Sequence, residues 1–160
     1  MSYIDDMKPG DRRSLGSFTF TAENIKAFAA KFDPLPFHLD EEAGRKSIFG
    51  GLSASGWHVT AAWMKVMVAE VKREAAERAA RGEPVVPPGP SPGFRNLKWI
   101  KPVLAGDTVF YEWEVVSTRV SEKRPEWGLV NSLNSGTNQH GVLVFSFEAT
   151  VFVPRKPLKR

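Results

Sequence analysis

The sequence predicts an α+β fold in which an antiparallel sheet covers one long helix. One observation is a stripe of apolar residues at helical spacing within residues 56–81, formed by Val59, Trp63, Val66, Met67 and Val71. A second is the region after Phe94, where apolar and polar residues alternate as they do in strands. Because these strands follow one another through short turns, we expect them to form an antiparallel meander.

The N-terminal part is predicted to hold a short strand and a helix. Residues 17–20 (SFTF) have the composition of a strand, and Thr21 is a suitable N-cap for the segment after it. Apolar residues then recur at helical spacing, at Ile25, Phe28, Ala29 and Phe32. The helix is expected to end before Pro34, because proline pushes the preceding residue out of the helical region. Asp33 is therefore placed at the helix exit.

A stiff loop is predicted after this helix, because prolines flank Leu35 on both sides. The loop carries Asp33 to His38. Asp40 is then placed to cap a short helical turn.

The long helix is predicted over residues 56–81, entered through the flexible segment FGGLSASG. Its first half belongs to the core, whereas its polar second half faces solvent or a neighbour. Two ion pairs at i, i+4 spacing support the polar half: Glu74 with Arg78 and Glu77 with Arg81. Ser53 or Ser55 is expected to cap the helix, and a serine nucleophile is not favoured because G-x-S-x-G is not matched.

Four further strands are predicted, over residues 94–102, 107–118, 127–133 and 143–153. The segment NSGTNQHG is expected to be the loop between the last two. The proline-rich stretch 83–93 is expected to be a loop and not a linker, because the C-terminal region after it is too short and strand-like for a second domain. The chain is therefore predicted to be one domain over residues 1–160, with a basic tail at about residues 154–160.

The composition excludes several kinds of site. The chain has 160 residues, a net charge of +4 and no cysteine, so disulfides, thiolate metal sites and a cysteine nucleophile are excluded. The histidines show no metal-binding spacing, and no basic stacking motif for nucleic acid is present. Neither a secretory signal nor a membrane-spanning stretch is found, so we expect a cytoplasmic protein without metal, membrane or nucleic-acid partners.

Four of the last six residues are basic, and two interpretations of them stay open. They are Arg155, Lys156, Lys159 and Arg160. They form either a solvated tail or a basic rim that attracts a phosphate-bearing substrate.

Asp33 and His38 are the most specific candidate pair for chemistry. A histidine that titrates near neutrality and a carboxylate that activates water are the groups of general acid–base catalysis. Gly56 is a candidate partner, because a helix N-terminus presents unpaired N–H groups to a carbonyl or enolate-like oxygen. A purely structural interpretation stays open, in which Asp33 caps a turn, His38 packs as a half-buried loop residue and Gly56 only starts a helix.

Two separated motifs point to a known family. The segment DPLPFHLD carries Asp33, Pro36, His38 and Asp40 at the spacing of a hydratase motif, and FG and Gly56 follow at that motif's spacing. Farther on, LKWIKPVLAGD is similar to the strand and turn "F-x-x-P-V-x-x-G-D". On these residues the chain resembles the MaoC-like dehydratases, which include the (R)-specific enoyl-CoA hydratases. The likeness covers nearly the whole chain.

The resemblance implies a hot dog fold, which is an antiparallel sheet wrapped around one long central helix. It also implies a homodimer or higher homo-oligomer and reversible hydration of a trans-2-enoyl thioester of CoA or a carrier protein, without a cofactor. By this resemblance, Asp33 and His38 are the residues that activate the water and transfer the proton to the α-carbon. The Gly56 N–H is the donor of the oxyanion hole. Pantetheine would follow a channel at the dimer interface, with basic residues near its mouth meeting the CoA phosphates.

The chain departs from the family at three positions. The usual Asn is Leu35, a common His is Ser55, and the Ser that some hydratases carry in the central helix falls on Met64. Leu35, Ser55 and Trp57 are predicted to border the substrate pocket, and Trp57, Trp63 and Met64 indicate a pocket unlike that of short-chain hydratases. Two alternatives stay open: a hot dog acyl-CoA thioesterase, and a non-catalytic acyl-thioester-binding or assembly protein.

Overall fold

The computed structural model describes residues 2–87 and 89–157. A 3-10 helix, Ile4–Asp6, comes first. The helices are α1 (Ala22–Phe32), α2 (Pro36–Leu39), α3 (Glu41–Lys46) and α4 (Gly56–Ala80). The strands are β1 (Arg12–Thr19), β2 (Gly93–Trp99), β3 (Thr108–Val120), β4 (Trp127–Thr137) and β5 (Leu143–Pro154). Among the described residues, no helix is long and apolar enough to cross a membrane.

The five strands form one antiparallel sheet in the order β1-β3-β4-β5-β2. The strands β3, β4 and β5 form a meander, as predicted, whereas β2, which was predicted to belong to it, pairs with β5 and not with β3. The edges of the sheet are therefore β1 and β2. The first half of α4 packs against one face of this sheet, where side chains from both elements form the main core. Its large members include Phe20, Ile25, Trp63, Tyr111, Phe145 and Phe147. This is the hot dog arrangement that the resemblance implies.

The central helix is divided into a buried and an exposed half, as its sequence predicts. Val59 and Trp63 are buried, and the buried Tyr111 hydroxyl of β3 donates to the Val59 carbonyl at 2.8 Å. In the polar half Glu74 pairs with Arg78 at 3.4 Å and with Arg13 of β1 at 2.9 Å. The polar half is thereby tied to the sheet edge.

One of the two ion pairs predicted in this helix is replaced by others. Glu77 pairs with Arg73 instead of Arg81, and Arg81 pairs with Glu83 at 2.7 Å. The reason is that Arg81 is the C-cap of α4, where the chain leaves the helix and the i, i+4 geometry ends.

The prediction that NSGTNQHG is a loop is wrong for its first four residues. They continue β4, and Asn134 and Gly136 pair with both neighbouring strands. Gly136 is a packing residue here, because a Cβ at this position would lie 2.8 Å from a methyl group of Val109. Residues that usually form turns thus occupy a central strand, because the neighbouring strands leave no room for a larger side chain at Gly136.

The described part of the basic tail is docked and not free in solvent. Arg155 pairs with Asp5 at 2.9 Å, and Lys156 pairs with Asp6 and also donates its backbone N–H to Asp5 at 2.9 Å. The hydrogen bond from Arg155 lowers the pKa of the Asp5 carboxyl. The two other basic residues, Lys159 and Arg160, lie outside the described residues.

Helix α3 packs so closely on the segment before α4 that Gly44 has no room for a side chain. A Cβ at Gly44 would lie 2.6 Å from the Gly51 carbonyl oxygen, which is backbone and cannot rotate away. We expect Gly44→Ala to lower the free energy of unfolding by about 1–3 kcal/mol, the usual cost of overpacking. Urea unfolding measures this. Gly51→Ala is the matched control, because its Cβ would meet Leu104 at an ordinary 3.6 Å. Equal stability of the two variants would contradict this account.

Candidate active site

His38 lies on α2 and is almost completely buried, with 6% of its surface exposed. Its Nδ1 is 2.6 Å from the Ser53 carbonyl oxygen. Because a carbonyl only accepts, Nδ1 carries a proton, and Nε2 is the ring nitrogen left to exchange one. The rings of Phe37 and Phe49 pack against the imidazole at centroid distances of 4.5 and 6.4 Å. The ring orientation and tautomer are therefore determined by its surroundings.

The Ser53 carbonyl is held in place by the second of the two sequence motifs. Ala54 donates its N–H to the Val103 carbonyl at 2.8 Å, and Ala105 donates to the Leu52 carbonyl at 2.9 Å. The turn KPVLAGD thus braces the backbone on both sides of Ser53. The two motifs, about 50 residues apart in the chain, meet to position one histidine.

Asp33 is the C-cap of α1, and its side chain is half-buried. One carboxylate oxygen, Oδ2, lies 3.4 Å from the His38 Nε2. With Nδ1–H engaged by Ser53, Nε2 is the nitrogen that faces the Asp33 carboxylate. Such a pair is suited to share a proton or to hold one water molecule, which are the requirements of an acid–base site.

The segment between these two residues is helical from Pro36 on, where a loop was predicted. Pro36 opens α2 at a position where its missing N–H is not needed, so the proline starts a helix and does not merely stiffen a loop. Leu35 is the N-cap residue and provides no side-chain hydrogen bond. An Asn, which the resembled family carries here, is among the best N-caps. The Leu35 side chain is 47% exposed and lies on the surface.

Gly56 is the first residue of α4 and follows the Ser53 carbonyl by three residues, a span of at most about 10 Å. No hydrogen bond from its N–H to another described residue is present. Ser55 is the N-cap, as predicted, and its hydroxyl accepts from the Trp57 N–H at 3.3 Å. Ser55 is buried and acts on the helix end, so contact between Ser55 and a substrate stays a prediction.

The structure gives a second reason for glycine at position 56. A Cβ there would lie 2.3 Å from the Trp99 indole, which packs directly on the helix start. Trp99 also donates to the Thr60 hydroxyl at 3.2 Å and contacts the Trp57 ring at a centroid distance of 5.1 Å. The absence of a side chain at Gly56 thus leaves room for the Trp99 ring, and this contact was not foreseen from the sequence.

An apolar cavity of about 640 Å³ begins beside this helix end. It lies between α4 and the sheet, and Trp57, Trp63 and Met64 line it. Asp33, His38 and Gly56 are not among the described residues that line it. The structure therefore places the Asp33–His38 pair against Ser53, in the segment that leads into α4, while the cavity lies along the first half of the helix itself.

Besides Trp99, two further residues of this region were not foreseen from the sequence. The Ser53 carbonyl is a backbone group whose role depends on which side chain reaches it, so sequence carried no signal for it. Asn134 is completely buried on the cavity wall, in the strand that was interpreted as a loop. Extending the alternation of inward and outward residues in β4 beyond Leu133 would have predicted that Asn134 faces inward.

An antiparallel sheet around one central helix, with a candidate acid–base pair at the helix entrance, defines a hot dog domain. A family model described as "MaoC like domain" matches residues 7–134. The chain belongs to this MaoC-like domain family. A curated relative, the uncharacterized protein YdeM of Bacillus subtilis (strain 168), is 30% identical over 152 residues, which are 95% of this chain and 99% of YdeM.

Solved structures agree with this assignment. The MaoC-like dehydratase from Rhodospirillum rubrum has a TM-score of 0.81 and 35% identity, covering 99% of this chain and all of that one (100%). The R-hydratase PhaJ1 from Pseudomonas aeruginosa has a TM-score of 0.67 and 21% identity, covering 99% of this chain and 92% of that one. Because its identity is only 21%, the likeness to PhaJ1 shows a shared fold and nothing about activity.

Proposed function

We propose that this protein is an acyl-thioester hydratase/dehydratase that adds water reversibly to a trans-2-enoyl thioester of CoA or a carrier protein. The observation that carries the proposal is the buried His38, which Ser53 orients and whose free Nε2 faces Asp33. Membership in the MaoC-like family and the resemblance to hydratases support it. No cofactor is required by this chemistry, and that absence stays a prediction.

In the proposed reaction a water molecule lies beside the pair and hydrogen-bonds to both Asp33 Oδ2 and His38 Nε2, which are 3.4 Å apart. One of its protons passes to this pair while its oxygen bonds to the β-carbon of the enoyl group. The double-bond electrons move to the thioester oxygen, where the N–H at the α4 start stabilises the enolate. The proton then passes from the pair to the α-carbon, which completes the 3-hydroxyacyl thioester.

A second copy of the chain is proposed to complete the site. Beside the Asp33–His38 pair, Phe32, Leu35 and Ile48 expose 70%, 47% and 96% of their surfaces. The edge strand β2 exposes Phe94 as well. Apolar surface of this extent commonly marks a protein interface. Such a dimer would cover the pair and confine the substrate, and size-exclusion chromatography with light scattering tests it.

The activity test compares purified protein against trans-2-enoyl-CoAs of several chain lengths. Loss of the enoyl absorbance with no free thiol is the expected result. Release of free CoA thiol would identify a thioesterase instead. Calorimetric binding of CoA esters without any turnover, at all chain lengths, would identify a non-catalytic acyl-thioester-binding protein and would overturn the hydratase proposal.

A further inference from the structure

The wall of the apolar cavity contains an unusual number of unpaired polar atoms. Five buried side-chain nitrogen or oxygen atoms in the described part of the chain have no hydrogen-bond partner, and three of them belong to residues that line this cavity. They are Nε of Arg13, Nε1 of Trp63 and Oδ1 of Asn134. Buried polar groups in folded proteins are normally paired, so this cluster requires an explanation.

These residues lie close together on the cavity wall. Arg13, Trp113, Asn134 and Phe147 are successive cross-strand partners in one row across the sheet. Trp63 reaches this row from α4, because its indole meets the Phe147 ring edge-on at a centroid distance of 4.6 Å. Directly opposed residues have side chains about 5 Å apart. The residues that carry the unpaired atoms therefore lie along one row of the cavity wall, with Asn134 and Trp63 both next to Phe147.

Most of the rest of the wall is apolar and includes Met64, Met67, Phe94 and Leu97, while the hydroxyl residues Thr60, Ser91 and Ser132 also line it. A volume of about 640 Å³ is in the range of ligand sites. An apolar site with a few polar groups at one place accepts an apolar ligand that carries one polar group at the matching place.

From these contacts we infer that the cavity binds an acyl chain that carries a hydroxyl group, which pairs with Asn134 and Trp63. This inference rests on the proposed function, since it assigns the acyl portion of that thioester substrate. A hydroxyl both donates and accepts, so it pairs with the amide of Asn134 and with the indole N–H of Trp63. The Nδ2 of Asn134 already donates to the Ser132 hydroxyl at 3.3 Å, so Oδ1 is the atom that accepts from the ligand hydroxyl, while the Trp63 N–H donates to it.

The donors and acceptors on this wall disfavour a carboxylate. The Arg13 guanidinium is already paired with Glu74 at 2.9 Å and lies over the Trp113 ring, 4.8 Å from the centroid. A carboxylate only accepts hydrogen bonds, so it would leave the acceptor Oδ1 of Asn134 unpaired. The polar group that fits is therefore one that donates as well as accepts.

The length of α4 between Gly56 and Trp63 indicates where along the acyl chain the hydroxyl lies. Trp63 follows Gly56 by seven residues in α4, which is a rise of about 10 Å at about 1.5 Å per residue. An extended acyl chain covers about 3.8 Å in three bonds. A distance of about 10 Å therefore places the hydroxyl roughly eight bonds or somewhat more from the thioester carbonyl. A decenoyl chain hydroxylated at its far end is a suitable probe.

The test compares ω-hydroxy-trans-2-decenoyl-CoA with trans-2-decenoyl-CoA in turnover, and the corresponding saturated CoA esters in calorimetric binding. We expect the hydroxylated ester to bind at least tenfold more tightly and to have a higher kcat/KM. Asn134→Leu, which keeps the volume, and Trp63→Phe, which keeps the ring contact with Phe147, are both expected to reduce this preference severalfold. Met67→Leu is the matched control and should keep the preference, since it changes the same wall without removing a polar atom.

Binding and turnover separate the two proposals. Equal affinity for the hydroxylated and plain esters, or a preference that survives in Asn134→Leu and Trp63→Phe, would overturn the hydroxyl assignment and indicate that water fills this place. A preference for an ω-carboxylated ester would overturn it as well. A protein that prefers the hydroxylated saturated ester but never turns over an enoyl-CoA would retain the assignment while the hydratase proposal fails.

Discussion

Asp33→Asn is expected to lower the kcat of enoyl-CoA hydration by about a thousandfold, because an amide cannot accept the proton of water. The Asp33 oxygen lies 3.4 Å from the His38 Nε2, so the two groups act on the same water in the proposed reaction. His38→Ala is expected to cause a comparable loss by removing the other partner. A double variant should lose little more than either single one, since residues that act as a unit are not additive.

The control for Asp33→Asn is Asp40→Asn, on the same segment. Asp40 is exposed and its Oδ1 accepts from the Ala43 N–H at 2.8 Å, which caps α3. Asn caps a helix as well as Asp does, so this variant should keep both stability and kcat. Circular dichroism confirms folding of each variant. A folded Asp33→Asn protein with more than a tenth of the wild-type kcat would refute the assignment.

Acidification is expected to destabilise the fold through His58, and His58→Phe should remove that effect. His58 is buried in α4, stacked on Phe28 at a centroid distance of 4.6 Å and flanked by Phe18 and Phe20. Its Nδ1 has no partner among the described residues. Burial in this apolar surrounding lowers the pKa of His58 to about 4.

The direction of this effect is set by the difference in proton binding between folded and unfolded chains. The unfolded histidine has a pKa of about 6.5, so below that pH the unfolded state binds a proton that the folded state rejects. The contribution of His58 to stability is therefore complete above about pH 6.5 and is lost as the pH falls toward about 4. A difference of roughly two and a half pKa units corresponds to about 3 kcal/mol.

Urea unfolding at pH 7, 5 and 4 measures this contribution as the difference between wild type and His58→Phe. We expect the variant to lose about 3 kcal/mol less than the wild type across this range. His140→Gln is the control, because His140 is exposed in the turn between β4 and β5. If His58→Phe and the wild type lose stability in parallel, the buried ring does not control the acid response.

Local features of the sequence predicted much of the fold. Thr21 and Asp40 accept the backbone N–H groups of Asn24 and Ala43 that their capping positions require. The stripe containing Val59 and Trp63 identified the buried face of the central helix. These predictions succeed because capping and amphipathic periodicity depend on residues within a turn or two of each other.

Contacts between distant segments could not be predicted in the same way. The sequence alone determined where the central helix lies, which residues form the Asp33–His38 pair, and that both stand near a helix start. Only the tertiary structure decided that the Ser53 carbonyl orients His38, that Trp99 occupies the space left by Gly56, and that Asn134 is buried on a cavity wall. The physical reason is that these contacts depend on sheet register and on backbone groups, which all residues share and which composition therefore does not distinguish.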